Sequence, residues 1–350
     1  MIKYLGSKRL LLPQILAAAA ALPDVETVLD LFSGTSRVGH ALKGAGYHVT
    51  ANDHLAYAAA LARCYVQANR DRVLTDAERI ITELNHLKPK PGYFTKTFCE
   101  ESRFFQPENG ARVDAARERI RALALDPVLE AVVLTSLMEA ADRVDSTTGV
   151  QMAYLKQWAT RAQRPLHLRM PDVLPGEGQS LQLDAAEAAA VAPVDLAYLD
   201  PPYNQHSYMG NYHVWETLVR WDAPEAYGVA RKRLECREYK SPFNSKRAIL
   251  GAFRQVVASL RAKHLLISFN DEGHLTRDEI TEILAERGHV EVVEVDFKRY
   301  VGAQIGIHNP EGKRVGRVGK LRNKELFFVV SPSKDDALGA ARAMTGARAS

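Results

Sequence analysis

Cysteine is scarce in this 350-residue chain: Cys64, Cys99 and Cys236 are its three, far apart and odd in number. That pattern excludes a disulfide framework and a paired-cysteine zinc site, and it fits reducing surroundings. Long hydrophobic runs are missing as well. No stretch of 18 apolar residues occurs, and Met1 to Arg9 lacks the apolar segment of a signal peptide. The expectation is a soluble, cytoplasmic protein without a membrane partner. His206 and His213 have no metal-ligand spacing around them, so no metal is expected.

A large net charge is also absent, the total being +4, but the positive charge is clumped. Arg231 to Arg247 carries seven basic and two acidic residues, and Glu311 to Lys324 carries six basic and one acidic. Clumping of this kind suits a polyanion, although each stretch alone also reads as a solvated surface. With 46% hydrophobic and 25% charged residues, the composition is that of an ordinary globular protein.

Short apolar segments alternate with helical windows. Val25 to Phe32 reads as a buried strand, Arg37 to Lys43 as a helix stopped by Gly44 and Gly46, and Tyr47 to Ala51 as a second strand. Residues 54–69 read as helical, with further helical windows at 75–87, 111–125 and 127–143. Strand signals return at Val194 to Leu199, His264 to Phe269, Val290 to Phe297 and Glu325 to Val330, with helical windows at 246–262 and 275–287. The pattern predicts an α/β fold with a mostly parallel sheet, its last two strands forming an antiparallel hairpin at the edge. The roughly 110 residues between the two groups of strands exceed any loop and predict an inserted, mainly helical subdomain over 71–179. The catalytic domain is then 1–70 with 180–332, and 333–350 is expected to be a disordered tail.

Two motifs fall where an open α/β sheet collects ligands, beyond the carboxyl ends of its strands. Asp30-Leu-Phe-Ser-Gly-Thr-Ser36 follows the first strand, where Gly34 allows close backbone approach, and Asp53 ends the second strand, where a carboxylate can accept from ribose hydroxyls. A dinucleotide oxidoreductase uses the same geometry and remains an alternative, weakened by Ser36 in place of the middle glycine. The other motif, Asp200-Pro201-Pro202-Tyr203, ends the strand Val194 to Leu199. An aromatic amino group is a poor nucleophile because its lone pair is delocalised into the ring. Asp200 supplies an anionic acceptor for its hydrogens, the prolines remove backbone donors and stiffen the turn, and Tyr203 offers a face for stacking.

With these motifs the chain resembles the alpha-group (Dam-like) adenine-specific DNA amino-methyltransferases over nearly all of residues 1–332. Lys3-Tyr-Leu-Gly-Ser-Lys8 resembles that family's first element. The resemblance implies a Rossmann-like S-adenosylmethionine-dependent fold and site-specific methylation of a flipped adenine in double-stranded DNA. A cognate restriction endonuclease is a further implied partner. It assigns the cofactor to Tyr4, Lys8, Asp30, Phe32, Gly34, Asp53 and Asp184, and the chemistry to Asp200, Pro201, Pro202 and Tyr203. Asp184 reads equally well as a helix cap. Methylation of RNA or of a cytosine amino group, and a catalytically silent DNA-binding module, stay open.

For DNA contacts, Arg103, Gln106 and Asn109 in the insertion are of types that pair with base edges or phosphates. Arg231, Lys232 and Arg233 are candidate phosphate contacts. Phe104 and Phe105 read as core.

Overall fold

Val28, Leu29 and Asp30 are buried although they alternate in direction, because the strand that holds them is covered on both faces. The computed structural model describes residues 1–271, 273–298 and 322–347. Along the chain, α1 (Leu12–Ala21) leads into β1 (Thr27–Asp30), α2 (Arg37–Gly44), β2 (His48–Asn52) and α3 (Ala56–Ala62). A π-helical turn over Arg63–Gln67 extends α3. Then come α4 (Arg70–Asn85), α5 (Tyr93–Thr95), α6 (Pro107–Leu123) and α7 (Pro127–Arg143), before β3 (Gly178–Leu181), α8 (Ala185–Val191) and β4 (Val194–Leu199). After β4 the chain forms α9 (Tyr208–Asn211), α10 (His213–Arg220), β5 (Ala226–Tyr227), β6 (Lys232–Arg233), α11 (Glu235–Glu238) and α12 (Ile249–Ser259). It ends with β7 (Ala262–Asn270), α13 (Arg277–Ala285), β8 (His289–Lys298), β9 (Arg322–Ser331) and α14 (Lys334–Gly346).

Seven strands form one sheet in the order β3-β2-β1-β4-β7-β9-β8. Pairings from β3 through β7 are parallel, while β9 runs antiparallel to both β7 and β8. Strand succession reverses between β1 and β4, so a crevice opens beyond their carboxyl ends. One face of the sheet is covered by α8, α12 and α13, and the other by α1, α2 and α14. A separate core joins α3, α4, α6 and α7 to Met209, Tyr212, Val214, Trp215 and Leu218, so the helical body recruits the segment after the Asp200–Tyr203 turn. Phe104 and Phe105 lie in that core.

Three features depart from the sequence expectations. First, β3 carries the residues Gly-Gln-Ser-Leu, partly exposed and without an apolar run, which left it without a strand signal. Gly178 is required there because a Cβ would lie 2.6 Å from the Val66 carbonyl. Second, residues 333–346 are not a tail. Ser333 caps α14 by accepting from the Asp336 amide, and Ala337, Ala340, Ala341 and Met344 make a buried stripe against α1. Small alanines hide such a stripe from a search for bulky apolar residues. Third, of the basic stretch Glu311 to Lys324, residues 311–321 lie outside the described residues, while Arg322 to Lys324 open β9, ahead of the strand signal at Glu325.

Candidate active site

The turn after β1 carries two left-handed residues, Gly34 and Ser36. Gly34 has φ +52°, and a Cβ there would lie 3.1 Å from the Tyr4 ring, so glycine lets Tyr4 lie directly over the turn. Ser36, at φ +57°, adopts the conformation that a second glycine would take without cost, and it begins α2. Asp30 is buried and accepts from the Gly39 amide at 3.0 Å, which ties the strand end to α2. Burial pushes its carboxyl up to about 7. Its contact is thus to the scaffold, although it also lines the cavity.

Asp53 stands at the end of β2 and accepts from the Gly34 amide at 3.1 Å and the Leu55 amide at 3.0 Å. Burial raises its pKa above the ordinary carboxylate value, while His54 and these amides oppose the rise. The carboxylate is therefore held fast at the mouth of the crevice.

Asp200 follows β4 directly. Its Oδ1 lies 2.9 Å from Lys8 Nζ, and the same ammonium lies 2.7 Å from Glu325 Oε1. Burial pushes the Asp200 carboxyl up to about 6, with Lys8 pulling down and Glu325 pushing up. Burial works against the Lys8 charge, but the two carboxylates overcome it and hold the ammonium well above its ordinary value. Lys8 is thus committed to an ion pair with the Asp-Pro-Pro-Tyr loop. Pro201 is buried and Pro202 half-buried. The Tyr203 carbonyl accepts from the His274 amide at 2.8 Å, and its ring leans on Phe269 with centroids 5.7 Å apart.

A cavity of about 790 Å³, open to solvent, connects these groups: Tyr4, Gly34 and Asp53 line one part, Lys8, Asp200 and Pro202 another. A smaller recess of about 350 Å³ adjoins it past Asp53, walled by Leu183, Asp184, Pro202, Tyr239 and Phe243. Phe32 borders both and meets Phe243 edge-on at 5.1 Å. Asp184 caps α8 through the Ala186 amide at 2.9 Å while its residue borders the recess.

Several wall residues escaped sequence reasoning. Tyr4 stacks on Tyr208 at 5.2 Å and on Tyr212 at 4.6 Å, so aromatic rings floor the region beside Asp200. The four-residue spacing of Tyr208 and Tyr212 was the available signal. Tyr239, Ser241 and Asn244 fold back over the cavity from within the basic segment, and Tyr239 stacks on His54 at 5.0 Å. Asn244 Nδ2 donates to the Asn204 carbonyl at 2.7 Å, tying this flap to the segment that follows Tyr203. His213 is buried against the Gln151 carbonyl, and burial pushes its pKa down to about 3, so it is a neutral core group.

Two of the expected DNA contacts need correction. Arg233 is 1% exposed and makes two 2.7 Å bonds to Asp222, with Glu235 beside it, because a buried guanidinium must be paired. Asn109 is buried and bridges the Arg164 carbonyl and the Leu166 amide at 2.9 and 2.8 Å. Both serve the fold and are withheld from a nucleic acid. Arg103 donates to the Lys156 carbonyl and lies over the Trp158 ring, and Gln106 begins α6. Arg231 pairs with Glu101, and the Lys232 ammonium reaches Met152 Sδ.

The profile of the D12 class N6 adenine-specific DNA methyltransferases matches residues 4–283. Among characterised relatives, Modification methylase StsI of Streptococcus sanguinis is 28% identical over 87% of this chain and 49% of its own length. Type II methyltransferase M.NlaIII of Neisseria lactamica is 29% identical over 77% of this chain and 83% of its own. Type II methyltransferase M.FokI of Planomicrobium okeanokoites is 30% identical over 85% of this chain and 49% of its own. The chain thus spans about half the length of the StsI and FokI relatives and most of the NlaIII one. A cavity lined by Asp53 and by Asp200 and Pro202 of an Asp-Pro-Pro-Tyr loop, within a sheet of this order, accords with that match: the chain belongs to the D12 class N6 adenine-specific DNA methyltransferase family.

Proposed function

We propose that this chain carries out on double-stranded DNA the reaction for which its family is named, moving a methyl group from S-adenosylmethionine to the exocyclic nitrogen of adenine. The observation that carries the reading is the single cavity linking Asp53 to Asp200. Ser33 and Tyr198, both of which line the cavity, carry buried hydroxyls without hydrogen-bond partners among the described residues. The residues present fit the cofactor: Asp53 for the ribose hydroxyls, the recess by Leu183 and Phe243 for the base, and Tyr4 with Gly34 for the methionine end. When bound, S-adenosylmethionine supplies an electrophilic methyl carbon on a sulfonium.

The remaining work falls to the chain. Asp200 accepts a hydrogen bond from the adenine amino group and stabilises positive charge as it develops on that nitrogen. Pro201 and Pro202 present carbonyls without competing N–H donors, and Tyr203 stacks on the base. A base within a duplex lies out of reach of these groups, so the target adenine must rotate out of the helix. We assign site recognition to the helical insertion and a phosphate-facing role to exposed basic residues of the 231–247 segment. The names of the relatives include modification methylase and type II methyltransferase, which supports a cognate restriction endonuclease as partner. Among the described residues no helix is long and apolar enough to cross a membrane.

Methylated-base sequencing of unmethylated genomic DNA incubated with the purified chain and S-adenosylmethionine tests the proposal. N6-methyladenine at one short motif is the expected product. Methylcytosine alone, or transfer to RNA but not to duplex DNA, overturns it.

A further inference from the structure

The antiparallel turn at the end of the sheet has a chemical consequence. Because β9 runs opposite to β7, its first residues lie at the carboxyl edge where the parallel strands end, with Glu325 registered opposite Asn270. From Leu326 to Val330 the strand is apolar and buried, so a carboxylate at 325 is costly unless it is paired. Glu325 Oε1 accepts from the Ser268 hydroxyl and lies 2.7 Å from the Lys8 ammonium. Lys8 in turn lies 2.9 Å from Asp200 Oδ1. The family match ends at residue 283, so this member of the network lies beyond it.

We infer that Glu325 is a positioning residue that acts on Asp200 through Lys8. One ammonium serves two carboxylates, Glu325 buried and Asp200 half-buried, which leaves the group with a net charge of −1 when both are ionised. Lys8 serving Asp200 alone would take up more of the acceptor's hydrogen-bonding capacity. By drawing off part of the ammonium's hydrogen bonding, Glu325 leaves Asp200 a more basic carboxylate and a stronger acceptor for the adenine amino group. Ser268 fixes the Glu325 carboxylate and thereby the place of the Lys8 ammonium. Other titratable groups acting on this cluster are Asp30 from β1, Tyr198 from β4, Tyr203 from the catalytic loop and Tyr208 from α9. Glu325→Gln leaves all of them in place.

The inference rests on the methyl-transfer reading, so its test includes a measurement that needs no turnover. In the ligand-free full chain labelled with carboxyl-13C aspartate, Glu325→Gln should lower the Asp200 titration midpoint by at least about 0.5 unit, because Lys8 then serves Asp200 alone. Single-turnover transfer to cognate DNA should fall roughly 10-fold with unchanged S-adenosylmethionine affinity. A midpoint that stays at the wild-type value overturns the inference, as does full-rate transfer by the folded variant. Should Glu325→Gln fail to fold, Ser268→Ala keeps every charge and should slow transfer about 3-fold without weakening cofactor binding. An unchanged rate in Ser268→Ala contradicts the inference. A wild-type chain that methylates no DNA would sink the function instead, while the titration shift would still decide the Glu325 to Asp200 linkage.

Discussion

Lys8 Nζ lies 2.9 Å from Asp200 Oδ1, joining the N-terminal lysine motif to the Asp-Pro-Pro-Tyr loop as a largely buried ion pair. The pair predicts a pH dependence. Asp200 is an anionic, donor-free acceptor only as a carboxylate, since protonation removes its charge and adds an O–H donor, and burial pushes its pKa up to about 6. In the free enzyme, kcat/KM should therefore fall as the pH drops through about 6. Lys8→Met removes the cation that pulls this pKa down, so the acid limb should move to higher pH. A limb that stays in place, or moves down, would show that Lys8 does not act on the essential carboxylate.

Asp53 should separate cofactor from DNA. Its carboxylate is held by the Gly34 and Leu55 amides at the cavity wall. Replacing it with alanine removes a charge-assisted acceptor and should weaken S-adenosylmethionine binding roughly 10- to 100-fold, with little change in DNA affinity. Calorimetric titration of a folded Asp53→Ala variant checks this, and equal affinity for the cofactor would defeat the assignment.

Gly34→Ala should act on the same end of the cavity by shape. The left-handed backbone at φ +52° disfavours alanine by about 1–2 kcal/mol. The added Cβ would also press on the Tyr4 ring at 3.1 Å. Cofactor affinity should drop about 10-fold, an energy of that same size. A variant with wild-type affinity would mean that Tyr4 and the turn do not hold the ligand.

The basic segment should divide into two behaviours. Arg233→Ala breaks a buried pairing with Asp222 and should cost ~1–3 kcal/mol of stability, since the acids left behind remain partly in water. Lys232→Ala should leave stability unchanged and reduce the salt slope of DNA binding by roughly one unit. Chemical denaturation and salt titrations distinguish them. An Arg233→Ala chain of normal stability would contradict the structural role.

What was legible in the sequence shares one property: it is local. Asp53 and Asp200 stand at strand ends beside short motifs, so strand signals alone bring them to one edge of the sheet. Glu325 was out of reach because its place depends on the antiparallel return of β9, and Tyr239 because its segment folds back over the cavity. Residue type misled at Asn109 and Arg233. The amide and guanidinium that suit a base edge or a phosphate serve equally well to satisfy buried carbonyls and carboxylates. For β3 and α14 the signal was weak because small and polar residues do the packing.

Asp200→Asn addresses the proposed chemistry most directly. Asparagine preserves the size, and Lys8 keeps Glu325 as its partner, so the variant should fold and bind S-adenosylmethionine and duplex DNA. It replaces an anionic acceptor with a neutral amide whose N–H groups oppose those of adenine. Single-turnover methyl transfer on cognate duplex should slow about 100- to 1,000-fold while both affinities hold. Near-normal single-turnover chemistry in this variant would contradict the account, because Asp200 would then not be the acceptor.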